Sequence, residues 1–176
     1  MGGMIHVYTG ESKGKTTAAF GVAARAVGHG KRVLFAQFLK GGGAESGEIL
    51  AAKRMLLNME IIRFDQIHPL FDSTVDTEAL RERVTKDFSQ LARLIKDGRY
   101  HMVVLDEINN CVAQDFLPLG TLIDFLDKKP EALELVLTGR GANQAVVERA
   151  DYVTEMKLVK HPAETSGTPP RKGVEF

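Results

Sequence analysis

Cysteine occurs once, at Cys111, which excludes an intrachain disulfide and suits a reducing cytosol. Net charge is absent too: 23 Lys plus Arg balance 23 Asp plus Glu, so nothing electrostatic draws the chain to nucleic acid or an anionic membrane. No apolar run approaches the roughly 20 residues of a membrane helix, and no charged-then-apolar leader opens the sequence. The opening MGGM places Gly2 after methionine, but His6 stands where a myristoylation motif needs Ser or Thr. His6, His29, His68, His101 and His161 lack metal-ligand spacing, so zinc is not expected. Neither an internal repeat nor a dividing linker is present, and a single cytoplasmic domain over residues 1–176 is expected. With 176 residues, 44% hydrophobic and 26% charged, the composition is that of a soluble protein with a substantial core.

What is present is a phosphate-binding signature. Gly10 to Thr17 reads GESKGKTT, after the apolar run Met4 to Thr9 and before an alanine-rich helical pattern. Strand, glycine loop, Lys-Thr and helix in that order read as a P-loop. Gly10 and Gly14 allow the tight turn that points successive N–H groups into one anion-sized hollow. A helix starting near Lys15 adds its positive end. Lys15 then supplies an ammonium to phosphate oxygens, and the Thr16 hydroxyl is placed for a bridging Mg²⁺. The usual loop has four residues before the Gly-Lys pair; here only Glu11, Ser12 and Lys13 intervene.

Along the chain, periodicity predicts strands at Met4–Thr9, Val33–Leu39, Met59–Phe64, His101–Asp106, Leu133–Leu137 and Tyr152–Leu158. Helices are predicted from Lys15 to a stop at Gly28 and Gly30, over Ile49–Leu57, from an Asp76 cap to Gly98, behind Pro118, and over Asn143–Ala150. In the Asp76 helix, Leu80, Val84, Phe88, Leu91 and Ile95 form one core stripe. Lys40 to Gly47 (KGGGAESG) is a flexible loop, either a lid or ligand contact or a plain connection. Asp65 to Val75, with Ile67, Leu70 and Phe71, is either a loop packed on the core or an apolar binding rim. Lys160 to Phe176 reads as a tail. The alternation implies a three-layer α/β/α, P-loop NTPase-like fold with a mostly parallel central sheet. In such a fold residues 10–17, 37–48, 106–107 and 138–141 follow strands and face one site.

An apolar strand ending in Asp106 and Glu107 reads as a Walker B element, with Asp106 holding Mg²⁺ directly or through water. Glu107 either activates an attacking water or adds a second carboxylate to the metal. Arg140, in the turn TGRG, is either a phosphate-stabilising cation or a surface arginine. Cys111 reads as a packed small residue rather than a nucleophile.

Together these residues resemble the P-loop type of ATP:corrinoid adenosyltransferase, also called cob(I)alamin adenosyltransferase. The resemblance is carried by TGESKGKTTAAFGVAARAVGHGKRV (Thr9 to Val33), QFLKG (Gln37 to Gly41), Gly47 with Glu48, VVLDE (Val103 to Glu107), TGRG (Thr138 to Gly141) and RKGVEF (Arg171 to Phe176). The short P-loop is the family's own form. The resemblance implies attack of a reduced cobalt(I) corrinoid on the 5′ carbon of ATP, with triphosphate expelled. It implies a catalytic role for Lys15, Glu107 and Arg140, and ATP contacts from Gly10, Glu11, Ser12, Lys13, Gly14, Lys15, Thr16, Thr17, Gln37 and Lys40. Mg²⁺, or Mn²⁺ in its place, would sit on Thr16, Asp106 and Glu107. The family commonly places an aromatic pair in the loop after the third strand to displace the lower axial ligand of the corrinoid. Here that loop reads IHPLF, with Phe71 as its aromatic and no tryptophan in the chain. A homodimer and an electron-donating reductase are implied as partners, and no nucleic acid or membrane. Two other functions use the same residues: a P-loop ATPase or small-molecule kinase, and a catalytically lapsed corrinoid- or nucleotide-binding module.

Overall fold

Short strands of aliphatic residues, each followed by a helix, pair side by side into one sheet. The structure is a computed structural model and describes residues 2–42, 45–55 and 58–174. Expectations touching Met1, Gly43, Ala44, Leu56, Leu57, Glu175 and Phe176 lie outside the described residues. These concern the first residue of MGGM, part of the glycine loop, the end of the second helix and the end of RKGVEF. In chain order the elements are β1 (Ile5–Thr9), α1 (Lys15–Gly28), β2 (Val33–Gln37), α2 (Gly47–Met55) and β3 (Met59–Arg63), followed by α3 (Thr77–Lys96) and β4 (Met102–Asp106). Then come α4 (Ile108–Ala113), α5 (Leu119–Asp127), β5 (Glu134–Thr138), α6 (Gln144–Val147), β6 (Tyr152–Glu155) and α7 (Pro162–Thr165). The strand order is β3-β2-β4-β5-β1-β6, and every pairing among the described residues is parallel.

A parallel sheet must be covered on both faces, and the side chains alternate accordingly. Leu34, Ala36, Val103, Leu105, Leu135 and Leu137 face α3, α4 and α5, while Val33, Phe35, Met102, Val104 and Val136 face α1 and α2. Alanines at 19 and 23, both fully buried, let α1 lie close on its face. On the other face α3 buries Leu80, Val84, Phe88, Leu91 and Ile95, the stripe its spacing predicts. Asp76 caps it by accepting from the Glu78 and Ala79 N–H groups. Three layers result, with all strand carboxyl ends at one rim.

The expected parallel sheet is present, and every described pairing in it is parallel. Several boundaries differ from the sequence-based expectation. β2 stops at Gln37 because the chain turns into the left-handed region at Leu39, φ 54°. The last strand ends at Glu155 instead of Leu158 and lies exposed at the sheet edge, where it has only β1 to pair with. The Asn143–Ala150 helix is shorter, Gln144–Val147, with Asn143 capping it by accepting from Ala145 N–H. The tail is not wholly irregular, since Pro162–Thr165 make one helical turn.

Candidate active site

The P-loop begins where β1 ends. Gly10 (φ 97°) and Gly14 (φ 112°) both hold left-handed conformations that side chains disfavour. A Cβ on Gly10 would also lie 2.5 Å from the Met156 carbonyl oxygen. That residue supports the shortened loop from behind: its carbonyl accepts from Ser12 N–H at 3.1 Å, and its own N–H donates to Thr9. Gly14 caps α1 without a side-chain hydrogen bond, so the first-turn N–H groups of the helix point toward the loop. Lys15 is buried and its Nζ donates to the carbonyls of Gly10 (2.6 Å) and Ser12 (2.7 Å), bridging the loop. Burial pushes the Lys15 pKa below its ordinary value, opposed by the negative charge of Glu107.

Next to the loop, Asp106 is the node of a buried network. Its Oδ1 accepts from Thr16 Oγ1 at 2.9 Å and Thr138 Oγ1 at 2.6 Å, and its Oδ2 accepts from Gln37 Nε2 at 3.0 Å. Four strand ends or following turns therefore meet at one carboxylate. Burial raises its pKa, with the Glu107 charge adding to the rise, while Lys40 and the hydroxyl hydrogen bonds oppose it. Glu107 follows in a left-handed conformation, φ 65°. Its N–H donates to Thr138 Oγ1 at 3.0 Å, and its carboxylate accepts from Lys40 Nζ at 3.2 Å and Asn110 Nδ2 at 2.7 Å.

Lys40 is positioned by its own main chain. Arg63 donates from both Nε and Nη2 to the Lys40 carbonyl, and Gly41 N–H donates to the Gln66 carbonyl at 2.8 Å. The Lys40 pKa is raised: burial alone would lower it, and the charges of Glu107 and Asp106 overcome that. Thr17 Oγ1 donates to Glu48 at 3.0 Å, tying α1 to the start of α2. Arg140 is exposed at the rim, 3.5 Å from Glu11, with its N–H on Asn110 Oδ1. An exposed pair of this kind contributes little to stability.

Thus the predicted residues of the P-loop, together with Gln37, Lys40, Asp106, Glu107 and Arg140, gather at one end of the sheet. Phe71 stands apart from this network. It is 84% exposed beside Leu70 at 82%, whereas Gln66 and His68 of the same loop are buried. The segment Asp65–Val75 is therefore packed on the core through Gln66 and His68 and exposed at its apolar tip.

A family model described as ATP:corrinoid adenosyltransferase BtuR/CobO/CobP matches residues 1–176. The chain belongs to the ATP:corrinoid adenosyltransferase family. Similar proteins include the corrinoid adenosyltransferase of Escherichia coli K12, 38% identical across 99% of this chain and 86% of that protein. The corrinoid adenosyltransferase CobA of Salmonella typhimurium LT2 is 39% identical over the same shares, and that of Pseudomonas aeruginosa 37% identical over 99% and 84%.

In this member of the adenosyltransferase family, Thr138 is placed at the site by sequence only as part of the turn 138–141, and Asn110, Gln66 and His68 carry no expectation of a site role. Thr138 was visible as the first residue of TGRG, at a strand end beside Asp106. His68 was visible only as the residue before Pro69, a turn-starting position. Nothing local marks Gln66, whose partners Leu39 and Asp87 are set by tertiary packing, while Asn110 lies three residues after Glu107 and takes its distant partner, Arg140 N–H, from the fold.

Proposed function

We propose that this protein moves the 5′-deoxyadenosyl group of ATP onto the cobalt(I) of a reduced corrinoid and releases triphosphate. The observation that carries the reading is the buried row Thr138–Asp106–Thr16 set beside Lys15 and Glu107 at the mouth of a shortened P-loop. The cobalt electron pair forms the Co–C5′ bond as the C5′–O bond breaks, and that bond's electrons leave with triphosphate. Negative charge grows on the departing oxygen, so the protein's task is to receive an anion. The first-turn N–H groups of α1 face the loop, and the Lys15 ammonium, held here on the Gly10 and Ser12 carbonyls, would turn to the anion, with Arg140 at the rim. Family membership supports the choice of this chemistry over γ-phosphoryl transfer.

The donor set fits Mg²⁺, or Mn²⁺ in its place. These ions take oxygen ligands, and Mg²⁺ uses few from protein when phosphates and water supply the rest. Among the described residues no group of three or more His, Cys, Asp or Glu forms a protein cage. The Thr16 hydroxyl donates a hydrogen bond to Asp106, which leaves its oxygen lone pairs free to face a metal, and Glu107 adds a carboxylate. When bound, the metal would neutralise charge on the triphosphate. Asp106 then orients Thr16, while Gln37 and Thr138 hold Asp106 and act through it. Lys40 and Asn110 aim Glu107. At the other side Leu70 and Phe71 would meet the corrinoid. Extended from the family, the reading takes residues 1–176 as one domain, working as a homodimer in the cytoplasm and served by an electron-donating reductase.

The test is to incubate the protein with MgATP, with and without chemically reduced cobalamin, and to identify both products. Adenosylcobalamin together with triphosphate, formed only with the corrinoid, is expected. Lys15→Ala should lower the rate by about two to three orders of magnitude, as loss of a key anion-stabilising group does. ADP and phosphate with an unchanged corrinoid spectrum would overturn the reading in favour of phosphoryl transfer.

A further inference from the structure

The tip of the Asp65–Val75 loop is built by one residue. The His68 carbonyl accepts from Phe71 N–H at 2.8 Å, closing a turn with Pro69 in its second position, where the ring's fixed φ suits it. The His68 side chain then accepts from Leu70 N–H at Nδ1, 3.0 Å. Two consecutive main-chain donors of the tip are thus satisfied by the same residue. The imidazole is 5% exposed and meets Phe71 and Phe116 edge-on, with centroids 6.1 and 6.3 Å away.

The remaining ring nitrogen, Nε2, lies 2.8 Å from the terminal amide of Gln114. An Nδ1 that accepts carries no proton, so the neutral ring carries its proton on Nε2. Nε2–H must then donate, and the Gln114 carboxamide turns its oxygen to the ring. This arrangement requires uncharged imidazole. Burial pushes the His68 pKa below its ordinary value; the charge of Glu107 opposes the shift and that of Lys40 adds to it. Gln114 is the C-terminal cap of α4 and Glu107 its N-terminal cap. The six residues between span about 9 Å at helical rise. The apolar tip is therefore registered, through one rigid turn and a half, to the carboxylate end of the site.

We propose that His68 is a positioning residue: pinned between the Leu70 amide and Gln114, its ring sets the Leu70–Phe71 tip against the corrinoid. The inference rests on the adenosyltransferase reading above. Leu70 and Phe71 together leave a large apolar surface in water, whose burial against a ligand would favour binding. A tip held outward by hydrogen bonds keeps that gain for a ligand. The contacts of His68 are with Leu70, Phe71, Gln114 and Phe116, so it acts through the tip.

Three variants separate positioning from simple packing. His68→Phe fills the space but accepts nothing; His68→Asn can still accept from Leu70 N–H, as asparagine does in turns, but cannot reach Gln114. Gln114→Ala removes the partner at an exposed position and leaves the core alone. Each is compared with wild type, reading KM for ATP at saturating cob(I)alamin, KM for cob(I)alamin at saturating MgATP, and the absorption and electron paramagnetic resonance spectra of bound cob(II)alamin. His68→Phe is expected to raise the corrinoid KM about tenfold, equivalent to about 1.4 kcal/mol, and to alter the cobalt(II) spectrum. The ATP KM should stay within about twofold, and His68→Asn should recover part of the loss. Gln114→Ala should move the corrinoid values in the same direction by less. Unchanged corrinoid KM and cobalt spectrum in the folded variants, or equal losses for both substrates, would overturn the proposal. If His68→Phe does not fold, Gln114→Ala decides alone on the same criterion. A wild type that makes no adenosylcobalamin brings down the adenosyltransferase reading and this inference with it. An active wild type with indistinguishable variants sinks only the role of His68.

Discussion

Glu107 carries a conformation that its side chain opposes. At φ 65° a residue with a Cβ sits about 1–2 kcal/mol above its right-handed alternative. Three contacts hold it there: its N–H on Thr138, and its carboxylate on Lys40 and on Asn110. In that conformation the carboxylate lies between Lys40, which follows β2, and Asn110 of α4. Removing the side chain should therefore have two effects of different origin. Glu107→Ala and Glu107→Gly both lose the carboxylate and should both lose turnover. In urea unfolding, however, the glycine protein should be the more stable of the two by about 1 kcal/mol, because only alanine keeps the Cβ strain. Equal stabilities, or a more stable alanine protein, would remove strain from the account of this residue.

The loops after β2 and β3 behave as one element. Gln66, 1% exposed, accepts from Leu39 N–H at 3.3 Å and donates to Asp87 of α3 at 2.7 Å. The main chains approach so closely that a Cβ on Gly41 would lie 2.6 Å from Gln66 N. Lys40, which touches Glu107, and the loop bearing Phe71 are thereby fastened across one glycine. Gly41→Ala should force them apart, costing about 1–3 kcal/mol of stability, the usual price of overpacking. Its activity loss should appear in the corrinoid KM as well as in turnover; a change confined to ATP would show that the two loops are independent. The sequence made β1, the P-loop and α1 legible because each is specified locally, by an apolar run, two glycines and an alanine stripe. Helix α3 was legible to the cap, since Asp76 and a five-residue apolar stripe need no tertiary information. The clamp was not legible. Gln66 and His68 are polar residues in an aperiodic loop, and only the packing of α3 and α4 makes them buried anchors. The same limit hid the end of β2, where Leu39 leaves the strand for a left-handed turn that aliphatic composition does not announce.

With 23 positive and 23 negative side chains, the molecule has no global charge to drive acid unfolding at neutral pH. Its pH dependence near neutrality is then carried by buried groups. Asp106 is one whose sign is testable. Its folded pKa is raised above the ordinary carboxylate value of 3.8 by burial, so between those two values the folded chain binds more protons than the unfolded one. Ionised Asp106 therefore penalises folding at neutral pH, and the penalty fades as pH falls through the folded value toward 3.8. His68 acts oppositely: its folded pKa is lowered, so its contribution is full above 6.5 and declines as pH falls below that value. A comparison of wild type with Asp106→Asn leaves the contribution of His68 common to both. The amide oxygen can still accept from Thr16 and Thr138, and its nitrogen faces Gln37, whose carboxamide can turn its oxygen inward. In chelator-treated protein, the Asp106→Asn chain should be more stable than wild type at pH 7, and the difference should shrink as pH is lowered toward 4. Denaturant titrations at pH 7, 5.5 and 4 measure it. A difference that stays constant with pH, or a less stable variant at pH 7, would mean that the hydroxyl and amide hydrogen bonds outweigh burial and hold Asp106 ionised in the folded chain.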